Sequence, residues 1–343
     1  MRPAASVFGL LCCILNGCDA DPSVGVVGRT VVVYSALDQE FAEPVLQAYG
    51  KRTGVEVDAK FDVESTKTVG LTRLLIQEAA RPRCDLFWNN EILNTLRLKD
   101  EGVLAPFKPA HAGELPETFR AKDGTWYGFA ARARILLVNT KLVAEADRPR
   151  GINDLLDPKW KGKVGIAKPL FGTTATHAAC LFAAWGSDKA ASYFRSLKAN
   201  GVQVLSGNKQ VATAVGSGQI AIGLTDTDDA MGEILAGQPV AIVYPDREPD
   251  GLGTLFIPNV LAVIKGAPHR EAAEALASHL LSPEVEAALA DGPSVQIPFL
   301  TTKQAVAKVE TPTTVHAMQA DFEAAARIWD QVARFMEAEF AGG

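Results

Sequence analysis

The chain has 343 residues, which is enough for two domains of ordinary size. Hydrophobic residues make up 48% of it and charged residues 22%, a balance that is typical of globular proteins and excludes a disordered chain. The formal net charge is −6 and no basic stripe occurs along the sequence, which argues against a nucleic-acid partner.

The first residues have the pattern of an export signal. Arg2 supplies a positive start, and the apolar run that follows is shorter than the ~20 residues that a membrane-spanning helix needs. The run ends on Cys18, as in bacterial lipoprotein signals, where the cysteine is lipid-modified and becomes the new N-terminus. We therefore predict a signal peptide over residues 1–18, a linker over 19–29, and a protein of the periplasm or cell surface that the lipid alone attaches to a membrane. Plain secretion and a buried N-terminal strand are the alternatives.

The next hundred residues alternate between short apolar runs and stretches with helical spacing. The order strand, helix, strand, helix, strand is typical of a parallel sheet covered by helices. The predicted strands are 30–34, 55–61 and 84–88, and the predicted helices are 38–54, 68–80 and 91–101.

The same alternation starts again after a predicted strand at 135–139. The later predicted strands are 163–167, 202–205, 220–224 and 255–264, and the later predicted helices are 176–185, 188–199 and 271–281. Apolar residues also recur at helical spacing over 315–340. Two such units in one chain predict two lobes, and a ligand of open parallel sheets binds at the carboxyl ends of the strands.

The strands near Ile135 and Leu255 are the predicted crossovers between the lobes. The predicted first lobe is 30–134 plus 256–300, and the predicted second lobe is 135–255. Residues 301–343 form a predicted C-terminal helical segment that packs on the lobes. Two cysteines of this region, Cys84 and Cys180, are expected to be buried thiols, with a disulfide between them as the alternative.

Five stretches resemble a known family, the type 2 periplasmic solute-binding proteins of ABC importers. The most specific is the turn at 155–164, and the others lie at 30–35, 84–91, 126–140 and 223–229. The nearest branch is that of the ferric-ion-binding proteins. The resemblance implies a two-lobed α/β fold, in which each lobe is a mostly parallel sheet flanked by helices and the ligand cleft lies at the hinge.

In that branch, iron is held by an imidazole or carboxylate after the first strand, a glutamate after the third, and two adjacent tyrosines. By position, Asp38 would replace the first ligand and Glu91 would match the second. The tyrosine pair falls on Thr227 and Asp228, so the phenolate ligands are absent.

The resemblance implies that several acidic residues lie together, and their charges favour a cation. Asp38, Glu91, Asp226, Asp228 and Asp229 would converge on one cleft, where like charges repel unless a cation neutralises them. Clusters of oxygen ligands suit hard cations such as Ca²⁺, Mg²⁺, Mn²⁺ or Fe³⁺. The predicted metal ligands are Asp38, Glu91 and Asp228. The alternative is that each of these acids only caps a helix or offsets its dipole.

Several other polar residues could contact a ligand. Arg132 and Arg134 lie two apart on a strand and therefore on one face, where they could clamp an anion or pair with the acidic cleft. Thr173 and Thr174 precede a helix whose first N–H groups could bind an anion, and Asn208 begins another. The full predicted ligand-binding set is Asp38, Glu91, Arg132, Arg134, Thr173, Thr174, Asn208, Asp226, Thr227 and Asp228.

Catalytic signatures are absent from the sequence: there is no GxxxxGK[ST], HExxH or GxSxG pattern. Together with this absence, the resemblance implies a monomeric substrate-binding protein, not an enzyme, which works with an ABC permease and its ATPase. Its predicted ligand is iron or another hard cation, with or without an anion, bound by closure of the hinge. The alternatives are a small organic solute such as a polyamine or phosphonate, a sensor lipoprotein, and an exported enzyme with a carboxylate pair.

Overall fold

The structure, a computed structural model, describes residues 30–62, 68–300 and 306–340. The predicted signal peptide with Cys18 and the linker at 19–29 lie outside the described residues. Within those residues, no helix combines the length and the apolar character needed to cross a membrane.

The described chain contains alternating strands and helices. The strands are β1 (Thr30–Ser35), β2 (Glu56–Phe61), β3 (Leu86–Asn89), β4 (Leu104–Ala105), β5 (Tyr127–Asn139), β6 (Val164–Ala167), β7 (Gln203–Leu205), β8 (Ile222–Asp226), β9 (Val240–Val243) and β10 (Phe256–Ile264). The helices are α1 (Gln39–Thr53), α2 (Val69–Gln77), α3 (Leu93–Asp100), α4 (Gly172–Trp185), α5 (Ser187–Ala199), α6 (Asn208–Gly216), α7 (Thr227–Leu235), α8 (Arg270–Leu280), α9 (Pro283–Asp291), α10 (Phe322–Arg327) and α11 (Trp329–Phe340).

The strands form one continuous sheet in the order β2-β1-β3-β10-β5-β8-β6-β7, with β4 beside β10 and β9 beside β5. At one end β1 is parallel to β2 and β3, and at the other β6 is parallel to β7 and β8. Antiparallel pairing of β5 with both β10 and β8 joins these two parallel parts.

Strand β5 belongs to both parts of the sheet. Its pairing with β10 ends at Ala133, which lies opposite Phe256, and its pairing with β8 begins at Arg134, opposite Asp226. We call the part on the β10 side the first lobe and the part on the β8 side the second lobe. The boundaries 30–134 plus 256–300 for the first lobe and 135–255 for the second remain predictions.

The core of the first lobe lies on both faces of its central strands. Adjacent residues of β3 illustrate this, because Phe87 and Trp88 are both fully buried but join different hydrophobic clusters. Burial on both faces explains why the first three residues of β3 are all apolar. Each large side chain buried in this way contributes ~1.5–3 kcal/mol.

The two C-terminal helices bridge the lobes. Helix α10 packs against α3 of the first lobe and α4 of the second, and α11 packs against α4 and α5. The helical pattern predicted from residue 315 begins later in the structure, at Phe322. The cause is local: the carboxylate of Asp321 accepts a hydrogen bond from the backbone N–H of Ala324 and caps the helix there.

Two further features differ from the expected elements. Strand β5 starts at Tyr127, whereas the sequence predicted a strand only from 135, and the short strands β4 and β9 were not predicted. The guanidinium groups of Arg132 and Arg134 interrupt the apolar pattern of β5, yet both are buried because acids face them. Cys84 and Cys180 are buried free thiols, which confirms that expectation.

Candidate functional site

A small polar cavity of about 40 Å³ lies between the lobes. It forms where the carboxyl ends of the strands meet the first turns of α4, α6 and α7. At about 10–15 Å³ per water molecule, it holds an ion or a few waters. Its polar lining side chains are Asp38, Asn90, Arg132, Thr173, Asn208, Lys209, Asp226, Asp228 and Asp229.

On the second-lobe side, the carboxylate of Asp226 is held by an ion pair and by hydrogen bonds to neighbouring side chains. Its carboxylate pairs with Arg134 at 2.8 Å and accepts hydrogen bonds from Thr173 Oγ1 and, at 3.0 Å, from Asn208 Nδ2. Arg134 is fully buried and also donates to Thr173, Thr174 and Asn208. This network joins the starts of α4, α6 and α7, so these five residues form the floor of the site.

Asp228 and Asp229 occupy the first turn of α7. Ligand atoms of Asp226, Asp228 and Asp229 all lie within 4.8 Å of one another. Three carboxylates this close repel one another unless positive charge is placed among them. Arg134 offsets the charge of Asp226, and a cation beside Asp228 and Asp229 would relieve the remaining repulsion.

Arg132 supplies one such positive charge from the first lobe. Its Nε lies 3.1 Å from Asp228 Oδ2, and its Nη1 donates to the backbone carbonyl of Asn90 at 2.7 Å. Burial opposes the charge on this guanidinium, but Asp228 and three further aspartates outweigh it and hold its pKa above the ordinary value. Arg132 therefore stays charged in this cleft.

Asn90 also lines the cavity, although it was not among the predicted ligand residues. The residue is 4% exposed, and its side-chain Oδ1 has no hydrogen-bond partner in the described structure. A buried acceptor without a partner is unusual and fits a site that receives a donor or a cation. The sequence feature that could have identified Asn90 is its position directly after the last residue of β3, at the carboxyl end of the strand.

The structure places Glu91 outside this cavity. Its fully buried carboxylate accepts hydrogen bonds from the backbone N–H groups of Leu93 and Asn94, from Asn89 Nδ2, and from Thr176 Oγ1 at 2.8 Å. These contacts fix the start of α3 and reach across to α4. These contacts support the helix-capping alternative for Glu91, which does not line the cavity as the other two predicted metal ligands, Asp38 and Asp228, do.

The first turn of α1 contributes the remaining acidic side chain. Asp38 lines the cavity from the N-cap position of α1, where its side chain makes no capping hydrogen bond. Next to it, Glu40 pairs with Lys209 of α6 at 3.0 Å across the mouth of the cleft. The hydrogen bond with Glu40 raises the pKa of Lys209 despite partial burial.

Two predicted ligand residues contact protein groups and do not line the cavity. Thr227 Oγ1 accepts a hydrogen bond from the backbone N–H of Ala133 at 3.1 Å, so it ties α7 to β5. Thr174 donates to Asn208 Oδ1 at 3.0 Å within the floor. Arg132 and Arg134 do not clamp a common group, because each pairs with a different aspartate.

Comparison with known proteins shows the same architecture elsewhere. A family model for bacterial extracellular solute-binding proteins matches residues 86–324, which is more than half of the chain. Iron uptake protein A2 of Synechocystis is 26% identical over 77% of this chain and 76% of its own length. The major ferric iron-binding protein of Neisseria meningitidis serogroup B is 24% identical over 88% of this chain and 92% of its own.

Among solved structures, iron-bound HitA from Pseudomonas aeruginosa superposes with a TM-score of 0.80 at 22% identity, covering 90% of this chain and 99% of that one. This likeness confirms the two-lobed type 2 fold that the sequence predicted. The chain belongs to the family of bacterial extracellular solute-binding proteins.

Proposed function

We propose that this chain is the substrate-binding component of an ABC importer and that its cargo is a hard metal cation, Fe³⁺ or another. The observation that carries the proposal is the group of carboxylates of Asp226, Asp228 and Asp229 within 4.8 Å of one another, beside a cavity of about 40 Å³. Hard cations favour oxygen ligands of this kind.

The proposed ligands come from both lobes. Asp228 and Asp229 belong to the second lobe, whereas Asp38 and Asn90 Oδ1 belong to the first. A cation that contacts both lobes binds the closed arrangement more tightly than an open one, and it therefore shifts the protein toward closure. Two relatives with iron in their names, described above, support the choice of cargo.

The proposed location of the protein, outside the cytoplasm and attached to a membrane, is based on the export signal in the sequence. A lipid on Cys18 would hold the monomeric protein at a membrane face, and the residues at 19–29 would let the lobes reach a permease. The permease and its ATPase would then take the cargo from the closed form. Mass spectrometry of the N-terminal peptide tests the anchor, since a lipid-modified Cys18 and a free N-terminus at a later residue have different masses.

A second candidate cargo is a small organic solute that carries both charges, such as an aminophosphonate. The observation that favours it is that Arg132 and Lys209 line the cavity together with the aspartates. A solute with an amine and an acidic group would pair with both sets of side chains.

Isothermal titration calorimetry with the full chain separates these candidates. The panel is Fe³⁺ and Ga³⁺ as nitrilotriacetate complexes, Mn²⁺, putrescine and 2-aminoethylphosphonate. We expect one trivalent cation to bind per chain, and the double variant Asp38→Asn/Asp228→Asn to lose that binding. Glu91→Gln should retain binding, and Asp291→Asn, a change at a surface pair with Lys308, is the matched control. Metal binding that survives in the double variant, or binding of the organic solutes alone, would sink the proposal.

A further inference from the structure

We infer that Arg132 is a built-in counter-ion of the cleft: its guanidinium group lies beside Asp228, where a cargo cation would bind. The cost of displacing this group sets how much positive charge a cargo must carry. The inference rests on the proposed function, because it concerns competition between this guanidinium and a metal cation for Asp228. It gives Arg132 a role opposite to that of an anion clamp.

The contacts of the two strand arginines differ in a way that supports this role. Arg134 is held by the carboxylate of Asp226 and by hydrogen bonds to three further side chains, all on the second-lobe side. Arg132 makes one close hydrogen bond, to the carbonyl of Asn90, and a longer one of 3.5 Å to Asn259 Oδ1. Arg134 is therefore part of the floor, whereas Arg132 faces the cavity.

The contact between Arg132 and Asp228 is close but poorly directed. The distance from Nε to Oδ2 is 3.1 Å, yet the Nε–H makes no hydrogen bond with any residue of the described ranges. Both side chains are more than nine-tenths buried. Charge attraction without an aligned hydrogen bond is weaker than the bidentate geometry that arginine prefers, so a competing cation can replace it.

The pair also crosses between the lobes. Arg132 is anchored to Asn90 and Asn259 of the first lobe, whereas Asp228 belongs to α7 of the second. In the cargo-free protein, Arg132 therefore provides part of the interlobe attraction that a metal would provide. A cation binds only if its interaction free energy with the aspartates exceeds the free energy needed to separate Asp228 from Arg132.

This competition favours highly charged cargo. The Coulomb attraction between a cation and a carboxylate grows in proportion to the charge on the cation, while the cost of displacing Arg132 is the same for every cargo. A trivalent ion therefore overcomes the arginine more readily than a divalent ion. Removal of the guanidinium charge should therefore raise the affinity for both ions by about the same factor, so that the weaker binding of a divalent ion becomes measurable.

The test compares Arg132→Gln with Arg132→Lys, which keeps the charge, in the full chain. Arg83→Gln is the matched control, because Arg83 is an exposed arginine before the amino end of β3, away from the cleft. Affinities for Ga³⁺, as its nitrilotriacetate complex, and for Mn²⁺ are measured by calorimetry. We expect Arg132→Gln to bind Mn²⁺ about tenfold more tightly than the wild type, and Arg132→Lys to stay close to it. A purely structural role would lower both affinities.

A double-mutant cycle tests the ion pair without any cargo. Urea unfolding midpoints of the wild type, Arg132→Gln, Asp228→Asn and the double variant should be non-additive, with the double variant more stable than the sum of the single changes predicts. Additive midpoints overturn the inference. Cation binding that weakens in Arg132→Gln also overturns it and leaves the proposed function intact. If no variant and no wild-type protein binds a cation, both are overturned.

Discussion

Asp226 and Asp228 are two residues apart, yet their surroundings differ. Asp226 is 3% exposed and neutralises the fully buried Arg134 through a network of side chains, so its charge serves the fold. Asp228 lines the cavity at the start of α7, where its partner Arg132 has few other contacts. The same chemical change at the two positions should therefore affect different properties.

Replacing Asp226 by asparagine should unfold the protein more readily. Arg134 would keep its charge inside the protein without a counter-ion, and breaking a buried pair in this way costs about 3–5 kcal/mol. Urea denaturation monitored by tryptophan fluorescence measures the free energy of unfolding. The surface variant Asp291→Asn should differ from the wild type by less than about 0.5 kcal/mol. A loss below about 1 kcal/mol in Asp226→Asn would contradict the role of this residue in the floor.

His177 should make the protein sensitive to acid. Burial first, and the charge of Arg134 second, lower the pKa of His177 from 6.5 to about 3. The unfolded chain therefore takes up a proton between these two values while the folded chain does not, so stability is complete above about pH 6.5 and falls as the pH drops toward 3. At pH 5 the loss is about 2 kcal/mol.

The variant His177→Gln isolates this effect from other titrating groups. The difference in unfolding free energy between pH 7 and pH 5 should be about 2 kcal/mol smaller in the variant than in the wild type. Equal pH dependence in the two proteins would mean that the imidazole of His177 is protonated at pH 5 in the folded state as well as in the unfolded chain, which would contradict the prediction.

At the scale of the secondary elements, helix packing on the sheet positions the site. Helix α6 carries Asn208 and Lys209 at its start and lies against β8. At Gly223 of β8, an added Cβ would come within 2.5 Å of Val211 and 2.9 Å of Val215. The absence of a side chain at Gly223 thus lets α6 pack closely on β8.

Gly223→Ala should push α6 away from the sheet. Overpacking of this kind costs about 1–3 kcal/mol, and the displaced Asn208 should also weaken cargo binding. Gly232→Ala in α7 is the control, because nothing lies within 4 Å of its added Cβ and alanine favours helix by up to about 1 kcal/mol. Thermal unfolding and calorimetry check both changes. A Gly223→Ala protein as stable as the wild type would contradict this packing.

At the scale of the whole molecule, the sequence predicted the elements better than their interactions. Buried strands such as β3 and β10 consist mostly of apolar residues, so their type and order could be predicted. The first part of β5 could not, because its arginines are buried only through acids that come from β8 and α7. Whether Asn90 or Glu91 lines the cavity depends on the direction in which the chain leaves β3. Sequence spacing does not contain that information.

The ion pair between Glu40 and Lys209 should influence the opening of the cleft. Lys209→Glu would place like charges across its mouth, so the cargo-free protein should open and its radius of gyration should rise in small-angle X-ray scattering. The charge swap Glu40→Lys/Lys209→Glu should restore the compact profile. Because exposed pairs contribute only about 0–1 kcal/mol, low ionic strength is the appropriate condition. Identical scattering from the single variant and the swap would contradict the prediction.

The passage of β5 from one lobe to the other has a consequence for motion. Its partner changes from β10 to β8 between Ala133 and Arg134, so a rotation of one lobe against the other must turn the backbone near this peptide. Arg132 and Arg134 stand on opposite sides of that pivot. Although the two guanidinium groups lie on one face of the strand, Arg132 moves with the first lobe and Arg134 with the second. Rotation of the lobes therefore changes the electrostatic field at the cation site. Movement of the lobes and the charge presented to an ion are therefore coupled through strand β5.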